Sequence, residues 1–256
     1  MPKLSAVVIT YNEAPNIDAL IENLAFADEI VVIDSFSSDD TLQKLQNFKH
    51  IKTYQNTFKN FPNQKNFALS KATYDWVLFL DADERLTNEL RDEILKEISK
   101  PNNPIVAYYG LFQYFFGKKP IKFSGFQSAK SFRLFKKSVC KYDESRPVHE
   151  HLIVKGKTEV LSNKILHYSF RSYDHYKEKM TQYAILKANK LHKQGKTANP
   201  LIKYIKIYYR FFNHYIMRLG ILDGKVGYQI SKLNAYEVKK RYDELKRLNK
   251  MSLSKK

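Results

Sequence analysis

Apolar and polar positions divide the first hundred residues into two alternating patterns. Short apolar runs without alternation are typical of strands covered on both faces, while apolar residues that recur every three or four positions are typical of amphipathic helices. The first helical segment has Ile17, Leu20, Ile21 and Leu24 at this spacing. Three apolar runs predict strands, in the segments KLSAVVITYNE, DEIVVID and DWVLFL, and HIKTYQN is predicted as a further short strand in the repeating pattern. Strands that alternate with helices predict an α/β fold, with a mostly parallel sheet and helices on both of its faces.

Polar groups follow three of these strands, in the segments TYNE, DSFSSDD and DADE. Because ligands of such folds bind at the carboxyl ends of parallel strands, we expect Asp34, Asp81 and Asp83 to lie near one crevice. Neighbouring carboxylates repel one another unless a cation lies among them or they accept hydrogen bonds, and oxygen ligands select hard ions such as Mg2+ or Mn2+. A plainer interpretation also stays open, in which Asp83 and Glu84 only cap the helix that follows, with Thr87 as a second cap.

Three segments in this order carry a family resemblance. AVVITYNEAPNI, EIVVIDSFSSDDT and WVLFLDADE resemble the nucleotide-sugar half of inverting glycosyltransferases of family two, which have the GT-A fold. The match covers about residues 3–100. The later segments RLFKKS, VHEHLIVKG, ILHYSF and LDGKVGYQ resemble the branch that contains bacterial lipopolysaccharide core beta-glucosyltransferases.

The resemblance implies a pocket for the nucleotide of a UDP-sugar. Thr10, Tyr11 and Glu13 would line it around the uracil and ribose, and Asp34 would meet the uracil edge. Ordinary alternatives stay open: core packing for Tyr11, an acid in the first helical turn for Glu13, and a turn with Ser35 for Asp34.

The resemblance also implies a metal ion on the diphosphate. Asp81 would lie near the ribose or the ion, and Asp83 would bind the Mg2+ or Mn2+ that bridges the two phosphates. Such an ion acts as a Lewis acid and neutralises the charge that develops on the departing nucleoside diphosphate. Lys65 would reach the diphosphate or the uracil, with a plain surface lysine as the alternative.

Inverting sugar transfer requires one general base, because an alcohol is a weak nucleophile at neutral pH. The segment CKYDESRPVHEHLIV carries three acids, Asp143, Glu144 and Glu150. We predict Glu150 as the base, since it directly precedes the apolar HLIV, which predicts a strand at the edge of the cleft. Asp143 is the second candidate. An ion pair of Glu150 with a neighbouring base is the alternative interpretation.

The composition of the chain and the absence of several motifs argue against other classes of protein. With 256 residues, 43% of them hydrophobic, the chain can bury a sizeable core. Cys140, the single cysteine, forms no internal disulfide, and the apolar run at residues 4–9 ends too early for a signal peptide, which favours a reducing cytoplasm. There is no P-loop, nucleophile elbow, Cys-x-x-Cys or His-Glu-x-x-His motif. The lone histidines, among them His167, lack diagnostic metal-ligand spacing.

The formal net charge of +18 is concentrated in the second part of the chain. Residues 1–105 contain 11 Lys and Arg against 16 Asp and Glu, whereas residues 106–256 contain 33 against 10. A basic half suits nucleic acid, anionic lipid or a phosphorylated substrate. No reading helix or RNA-binding signature is present, so nucleic acid is not expected as a partner.

The last third predicts basic, aromatic helices. A helical pattern covers residues 173–193, a second helix starts with Pro200 in its first turn, and GILDGKVGYQI is predicted as a loop. In the second helix, aromatic residues and cations form separate stripes: Tyr204, Tyr208, Phe211 and Tyr215, and Lys203, Lys206 and Arg210. Three cations make a spanning helix costly, at about 2.5 to 3.5 kcal/mol each. Either the helix lies in an anionic membrane interface with its cations at the headgroups, or its aromatic stripe packs on the catalytic domain.

These observations predict three parts of the chain. Residues 1–100 are the nucleotide-sugar half of the catalytic domain, residues 101–170 its acceptor and base part, and residues 171–256 a basic helical region. The predicted activity is metal-dependent, inverting transfer of a sugar, glucose by resemblance, from a UDP-sugar to a lipopolysaccharide-core or other lipid-linked glycan. The predicted location is the cytoplasmic face of a bacterial inner membrane, with the enzyme bound peripherally. The alternative is a membrane-surface or glycan-binding protein that keeps the fold without catalysis.

Overall fold

The computed structural model describes residues 2–146 and 151–253. In the first hundred residues strands and helices alternate as the sequence predicts: β1 (Leu4–Thr10), α1 (Ala14–Leu24), β2 (Glu29–Asp34), α2 (Thr41–Gln46), β3 (Lys52–Gln55), α3 (Phe61–Lys71), β4 (Trp76–Asp81), β5 (Glu84–Arg85) and α4 (Asn88–Ser99). Six further strands follow: β6 (Ile105–Phe116), β7 (Lys119–Ile121), β8 (Lys130–Lys136), β9 (Cys140–Tyr142), β10 (Leu152–Val154) and β11 (Lys157–Phe170). The chain continues with α5 (Tyr173–Lys193), α6 (Pro200–Phe212), a π-helical turn (Asn213–Met217), a 3-10 turn (Gly220–Asp223) and α7 (Gly224–Leu253).

The central sheet joins a parallel part to an antiparallel part. Its strand order is β3-β2-β1-β4-β8-β6-β11-β5, with β7 paired to β6. Strands β1 to β4 are parallel to their neighbours within this group, and β8 pairs antiparallel with both β4 and β6. The predicted α/β fold, with its parallel sheet in the first hundred residues, is confirmed.

Strands β1, β2 and β4 are buried on both faces, as their apolar runs without alternation predict, whereas β3 at the edge of the sheet is partly exposed. Val7, Val31 and Phe79 have no exposed surface and belong to one core cluster, against which α3 places Ala68 and Leu69. On α1, the buried residues are those at helical spacing: Ile17, Leu20, Ile21 and Leu24.

A short hairpin of β9 and β10 lies beside this core. Its register pairs Tyr142 with Leu152, which confirms the strand predicted in HLIV. The Tyr142 ring packs edge-on against Phe79, with ring centroids 5.8 Å apart. The Asn66 side chain accepts a hydrogen bond from the Tyr142 backbone nitrogen at 3.0 Å and donates one to its carbonyl oxygen at 2.9 Å. Helix α3 therefore holds the strand that leads into the segment of the candidate base.

The chain forms two compact units. Unit 1 comprises Met1–Phe112 and Ala129–His167, and unit 2 comprises Gln113–Ser128 and Tyr168–Lys256. In unit 2, α5 and α7 pack along each other, and Phe170, Tyr176 and Ile230 lie in its core. The helix predicted at residues 173–193 is confirmed with the same bounds. Within the described ranges, no helix has both the length and the apolar run needed to cross a bilayer.

The predicted loop in GILDGKVGYQI is wrong. The segment is a 3-10 turn followed directly by the first turns of α7. A Cβ on Gly227 would lie 1.8 Å from the Gly220 carbonyl oxygen. Gly227 therefore permits close approach of the helix to the preceding backbone, and does not interrupt the helix.

Candidate active site

The carboxyl ends of three neighbouring strands bring the predicted polar residues to one edge of the sheet. Thr10 of β1 is in register with Asp34 of β2, and Ile9 is in register with Asp81 of β4. The convergence predicted from the strand ends is therefore present in unit 1. The chemical roles of these residues stay predictions.

Asp34 is fully buried and held by several donors. Its carboxylate accepts hydrogen bonds from the Ser37 hydroxyl at 2.5 Å, from the Ser37 backbone nitrogen at 3.1 Å and from Gln55 Nε2 at 3.1 Å. Ser35, the turn partner of the alternative interpretation, instead donates its backbone N–H to the Thr10 carbonyl oxygen at 2.9 Å. Asp34 thus has a fixed position beside the end of β1.

The loops that follow β1 and β2 are locked together. Asn12 has a left-handed backbone with φ of 55°, donates its N–H to the Ser37 hydroxyl at 2.9 Å and accepts from the Ser38 N–H at 2.8 Å. The Glu13 N–H donates to the Thr41 hydroxyl at 2.8 Å. The side chain of Glu13 accepts from Asn16 Nδ2 at 2.6 Å, in the first turn of α1. These bonds pre-organise the backbone around the predicted nucleotide pocket.

Two aromatic rings are exposed on these loops. Tyr11 is 58% exposed, so the alternative of core packing is wrong for this residue. Phe36, which the sequence did not single out, is 55% exposed and has a left-handed φ of 58°. A bulky residue in this conformation is strained, and such strain clusters at ligand sites.

Lys65 is buried, with 4% of its surface exposed. Its Nζ lies 5.2 Å from the centroid of the Phe79 ring and 5.3 Å from that of Tyr142. The alternative of a plain surface lysine is therefore wrong. Its positive charge is also one of the causes that lower the pKa of Asp81.

A buried arginine joins two carboxylates at the DADE turn. Arg133 Nε and Nη2 donate to the two oxygens of Glu84 at 2.8 and 2.7 Å, and Nη2 also donates to Asp81 Oδ2 at 2.8 Å. Glu84 has no exposed surface, and Arg133 has almost none. Glu84 in turn accepts the Asp81 backbone N–H at 3.2 Å. This planar, bidentate contact fixes the turn that carries Asp81 and Asp83.

The charges around this turn move the pKa values of Asp81 and Glu84 in opposite directions. Burial alone would raise the pKa of Asp81, but the positive charges of Arg133, Lys65 and His167 outweigh burial and hold it well below its usual range. Burial dominates at Glu84 and raises its pKa, although Arg133 opposes that rise. Asp81 is therefore held as a carboxylate at neutral pH.

Asp83 faces a histidine on the neighbouring strand β11. Its Oδ1 lies 3.3 Å from His167 Nε2, and His167 Nδ1 lies 3.7 Å from Glu84 Oε1. Burial would lower the pKa of His167, but Asp83, together with Glu84 and Asp81, raises it overall. His167 is thus more readily protonated than an ordinary histidine, beside the acidic turn.

The capping interpretation is confirmed for Thr87 and wrong for Asp83 and Glu84. Thr87 is the N-cap of α4 and accepts the Leu90 N–H at 3.2 Å. Glu84 lies in β5 and bonds Arg133, and Asp83 lies beside His167. Asp83 and Glu84 therefore contact side chains at the edge of the sheet and do not cap the helix.

The structure describes only one of the two candidate bases, Asp143. Glu150 lies outside the described residues, so its predicted role stays a prediction. Asp143 accepts hydrogen bonds from the Ser145 hydroxyl at 2.6 Å and the Ser145 N–H at 3.0 Å, and these bonds lower its pKa. Asp143 is also 3.4 Å from Arg146 Nε. A lowered pKa makes Asp143 a weaker base than an ordinary carboxylate.

The sequence did not identify Arg133 as a site residue. It also did not predict that Glu84 and His167 support the turn of Asp81 and Asp83. The strand KSFRLFK carried one signal, because Arg133 falls among the apolar side chains of a strand. A buried arginine requires acidic partners, but the pattern does not say which acids these are.

The two carboxylates of the DADE turn fit a metal ion that arrives with a diphosphate. Among residues 2–146 and 151–253, no group of three or more His, Cys, Asp or Glu side chains could hold an ion alone. Asp81 and Asp83 both stay partly exposed. One or two carboxylates, completed by water and substrate phosphates, are the donor set that Mg2+ commonly takes.

Comparisons with known proteins agree with this geometry. Residues 5–152 match the model of glycosyl transferase family 2. The chain is 29% identical to an uncharacterized glycosyltransferase of Rickettsia felis, over 92% of this chain and 87% of the relative. It is also 29% identical to the lipopolysaccharide core biosynthesis glycosyltransferase LpsC of Rhizobium meliloti, over 82% of this chain and 83% of the relative. A solved mannosyltransferase of Pyrobaculum calidifontis, in complex with GDP-Man and Mn2+, aligns with a TM-score of 0.53 and 14% identity over 95% of this chain and 87% of that one.

Proposed function

The chain belongs to glycosyl transferase family 2 and has the GT-A fold, and we propose that it transfers glucose from UDP-glucose to a lipopolysaccharide-core or other lipid-linked glycan, with inversion at the anomeric carbon. The observation that carries this proposal is the convergence of Thr10, Asp34 and Asp81 at one sheet edge, with the turn of Asp81 and Asp83 fixed by Arg133. Similarity to LpsC supports the class of acceptor.

The nucleotide would bind over the locked loops of β1 and β2. Thr10, Tyr11 and Glu13 would surround the uracil and ribose, and the fixed carboxylate of Asp34 would accept a hydrogen bond from the uracil edge. The exposed ring of Tyr11 offers an apolar face to the base. The hydrogen bonds between the loops reduce the ordering that donor binding would otherwise require.

Asp83 and Asp81 would hold Mg2+ or Mn2+ together with the diphosphate. When bound, the ion would neutralise charge on the departing nucleoside diphosphate. Lys65 would contribute further positive charge near Asp81, where the diphosphate is expected. The mannosyltransferase of similar fold was solved with Mn2+ and a nucleotide sugar, which supports the choice of ion.

The acceptor hydroxyl needs a base on the face opposite the leaving group. We assign this role to Glu150, with Asp143 as the second candidate. The base would take the hydroxyl proton as the acceptor oxygen bonds the anomeric carbon and the bond to the diphosphate breaks. Bonds from Ser145 lower the pKa of Asp143, which makes it a weaker base than an ordinary carboxylate.

A lipid-linked acceptor places the enzyme at a membrane surface. We propose peripheral binding at the cytoplasmic face of the bacterial inner membrane, through the C-terminal helices of unit 2. Residues 106–256 carry 33 Lys and Arg against 10 Asp and Glu, which suits an anionic surface.

A thermal-shift screen of nucleotide sugars, with and without Mn2+, tests the donor and ion assignments. A ligand at 100 times its Kd stabilises the folded protein by about 2.7 kcal/mol, so UDP-glucose with Mn2+ should raise the Tm clearly. GDP-mannose and ADP-glucose are the controls. An equal rise with every nucleotide sugar, or a rise unaffected by Mn2+, would contradict the assignment.

A further inference from the structure

Helix α6 turns its apolar face outward. None of its residues is buried, and Leu201 and Tyr208 are 70% and 73% exposed. At 100° per residue, these two share one face with Ile205 and Phe212, which are also exposed. A helix of a globular protein normally buries its apolar stripe and exposes its charges, so this orientation is inverted.

Two of the three cations of α6, Lys203 and Lys206, contact α7 in the same unit. Lys203 Nζ donates to Asp243 Oδ1 at 2.5 Å, and Lys206 Nζ lies 5.5 Å from the centroid of the Tyr242 ring. One of the two interpretations left open by the sequence places these lysines at lipid headgroups. In the structure, these lysines instead attach α6 to α7. The apolar face of the helix is therefore left uncovered.

The turn after α6 adds to the uncovered apolar surface. Met217, Leu219 and Leu222 are exposed, and Leu219 has a left-handed φ of 58°. This turn is held in place by Asp223, whose carboxylate accepts the Phe123 N–H at 3.0 Å and the Ser124 hydroxyl at 2.7 Å. The exposed side chains are thus presented by an anchored backbone.

We propose that this surface inserts into the headgroup and upper acyl region of a phospholipid bilayer. We define the α6 surface as Leu201, Ile205, Tyr208, Phe212 and the turn at residues 217–222. The inference rests on the membrane binding of the proposed function and deepens it. It assigns the membrane contact to apolar side chains that insert into the bilayer, and not to lysines that lie at the headgroups. Contiguous exposed apolar patches of this kind mark interaction surfaces.

The charge of the surrounding sequence and the length of α6 favour a lipid bilayer as the partner of the α6 surface. Between Glu178 and Asp223 the sequence has no Asp or Glu, and it has nine Lys and Arg. This region therefore repels cations and attracts an anionic leaflet. The 13 residues of α6 extend about 20 Å, which suits a helix lying in the plane of the interface, with tyrosines at headgroup level.

Vesicle binding of a polar variant tests the proposal. The variant Ile205→Gln, Tyr208→Gln, Phe212→Gln keeps the contacts of Lys203 and Lys206 with α7. We expect at least a tenfold loss of binding to vesicles of phosphatidylcholine and phosphatidylglycerol, with part of the parent's binding retained at high salt, because buried apolar area and not charge alone holds it. The control Phe58→Gln, Ile153→Gln, Val160→Gln changes exposed apolar residues of unit 1 and should bind like the parent. Equal losses in both variants, or no loss in the first, would overturn the proposal.

Insertion depth supplies a second readout. Trp76, the single tryptophan, is buried, so Tyr208→Trp adds a reporter on the α6 surface. Its emission should shift to the blue on vesicles and be quenched by brominated acyl chains. A blue shift without vesicles that grows with protein concentration, together with a dimer by light scattering, would show that a second copy covers the surface and would overturn the proposal. Neither readout uses a donor sugar, so a protein that binds vesicles but transfers no sugar would refute the proposed function alone.

Discussion

Arg133 and Glu84 form a buried bidentate ion pair, with Nε and Nη2 of the guanidinium 2.8 and 2.7 Å from the two carboxylate oxygens. The residues lie 49 positions apart, on β8 and β5. Through a further bond from Arg133 to Asp81, the pair sets the position of the turn that carries the proposed metal ligands.

Removing the arginine alone should be costly. Arg133→Met leaves Glu84 buried without its main partner, and we expect a loss of about 3–5 kcal/mol in the free energy of unfolding. The double variant Arg133→Met, Glu84→Met removes both charges and should recover much of that stability, measured by urea unfolding. Equal destabilisation of the single and double variants would contradict the ion-pair account.

The metal assignment predicts a selective loss at Asp83. Asp83→Asn keeps the size of the side chain but removes an anionic ligand, so Mn2+-dependent binding of UDP, measured by calorimetry, should fall at least tenfold. Asp92→Asn, on the exposed face of α4, is the matched control and should bind like the parent. Parent-like affinity in Asp83→Asn with Mn2+ would show that this carboxylate does not bind the ion.

The base assignment predicts a loss in kcat without a loss in donor binding. Glu150→Gln should lower kcat by about 10²- to 10⁴-fold and leave UDP-sugar affinity near the parent value, because a general base acts on the acceptor in the transition state. Asp143→Asn should have a smaller effect on kcat. The reverse order of the two variants in a steady-state assay would move the role to Asp143.

Protonation of Glu29 should cause part of the loss of folding stability at acid pH. Burial would raise its pKa, but hydrogen bonds from Lys52, Ser5 and Thr73 lower it overall from 4.5 to about 2. The stabilisation that corresponds to this difference is about 3 kcal/mol, is complete above the unfolded-state value of 4.5, and is lost as pH falls towards 2.

Unfolding of Glu29→Gln across this pH range tests the assignment. The variant should be less stable than the parent at neutral pH, and the difference should shrink as pH falls from 4.5 to 2. Glu22→Gln, at an exposed position of α1, should follow the parent curve. A difference between Glu29→Gln and the parent that does not change with pH would exclude the ionised carboxylate as its cause.

The local pattern of the chain predicted the parallel sheet and the edge where its strands end. Apolar runs without alternation identify buried strands, and connection rules then place Thr10, Asp34 and Asp81 at one edge. The burial of Lys65 and the pairing of Arg133 with Glu84 were not predictable, since both depend on packing and strand order between distant segments. Likewise, the sequence separates aromatic from basic positions in α6 but does not predict which apolar residues face outward. Phe211 and Tyr215 of the aromatic stripe pack against Tyr228 of α7. The outward face is formed instead by Leu201, Ile205, Tyr208 and Phe212.

The most direct test of the central claim is transfer of labelled glucose from UDP-glucose to truncated lipopolysaccharide core, measured with Mn2+ and with a chelator. We expect label in the glycolipid only with the ion, no transfer by Asp83→Asn, and a β linkage by NMR, because inversion converts the α donor to a β product. Absence of transfer from any UDP-hexose despite UDP binding, or transfer that persists in the chelator and in Asp83→Asn, would contradict the account.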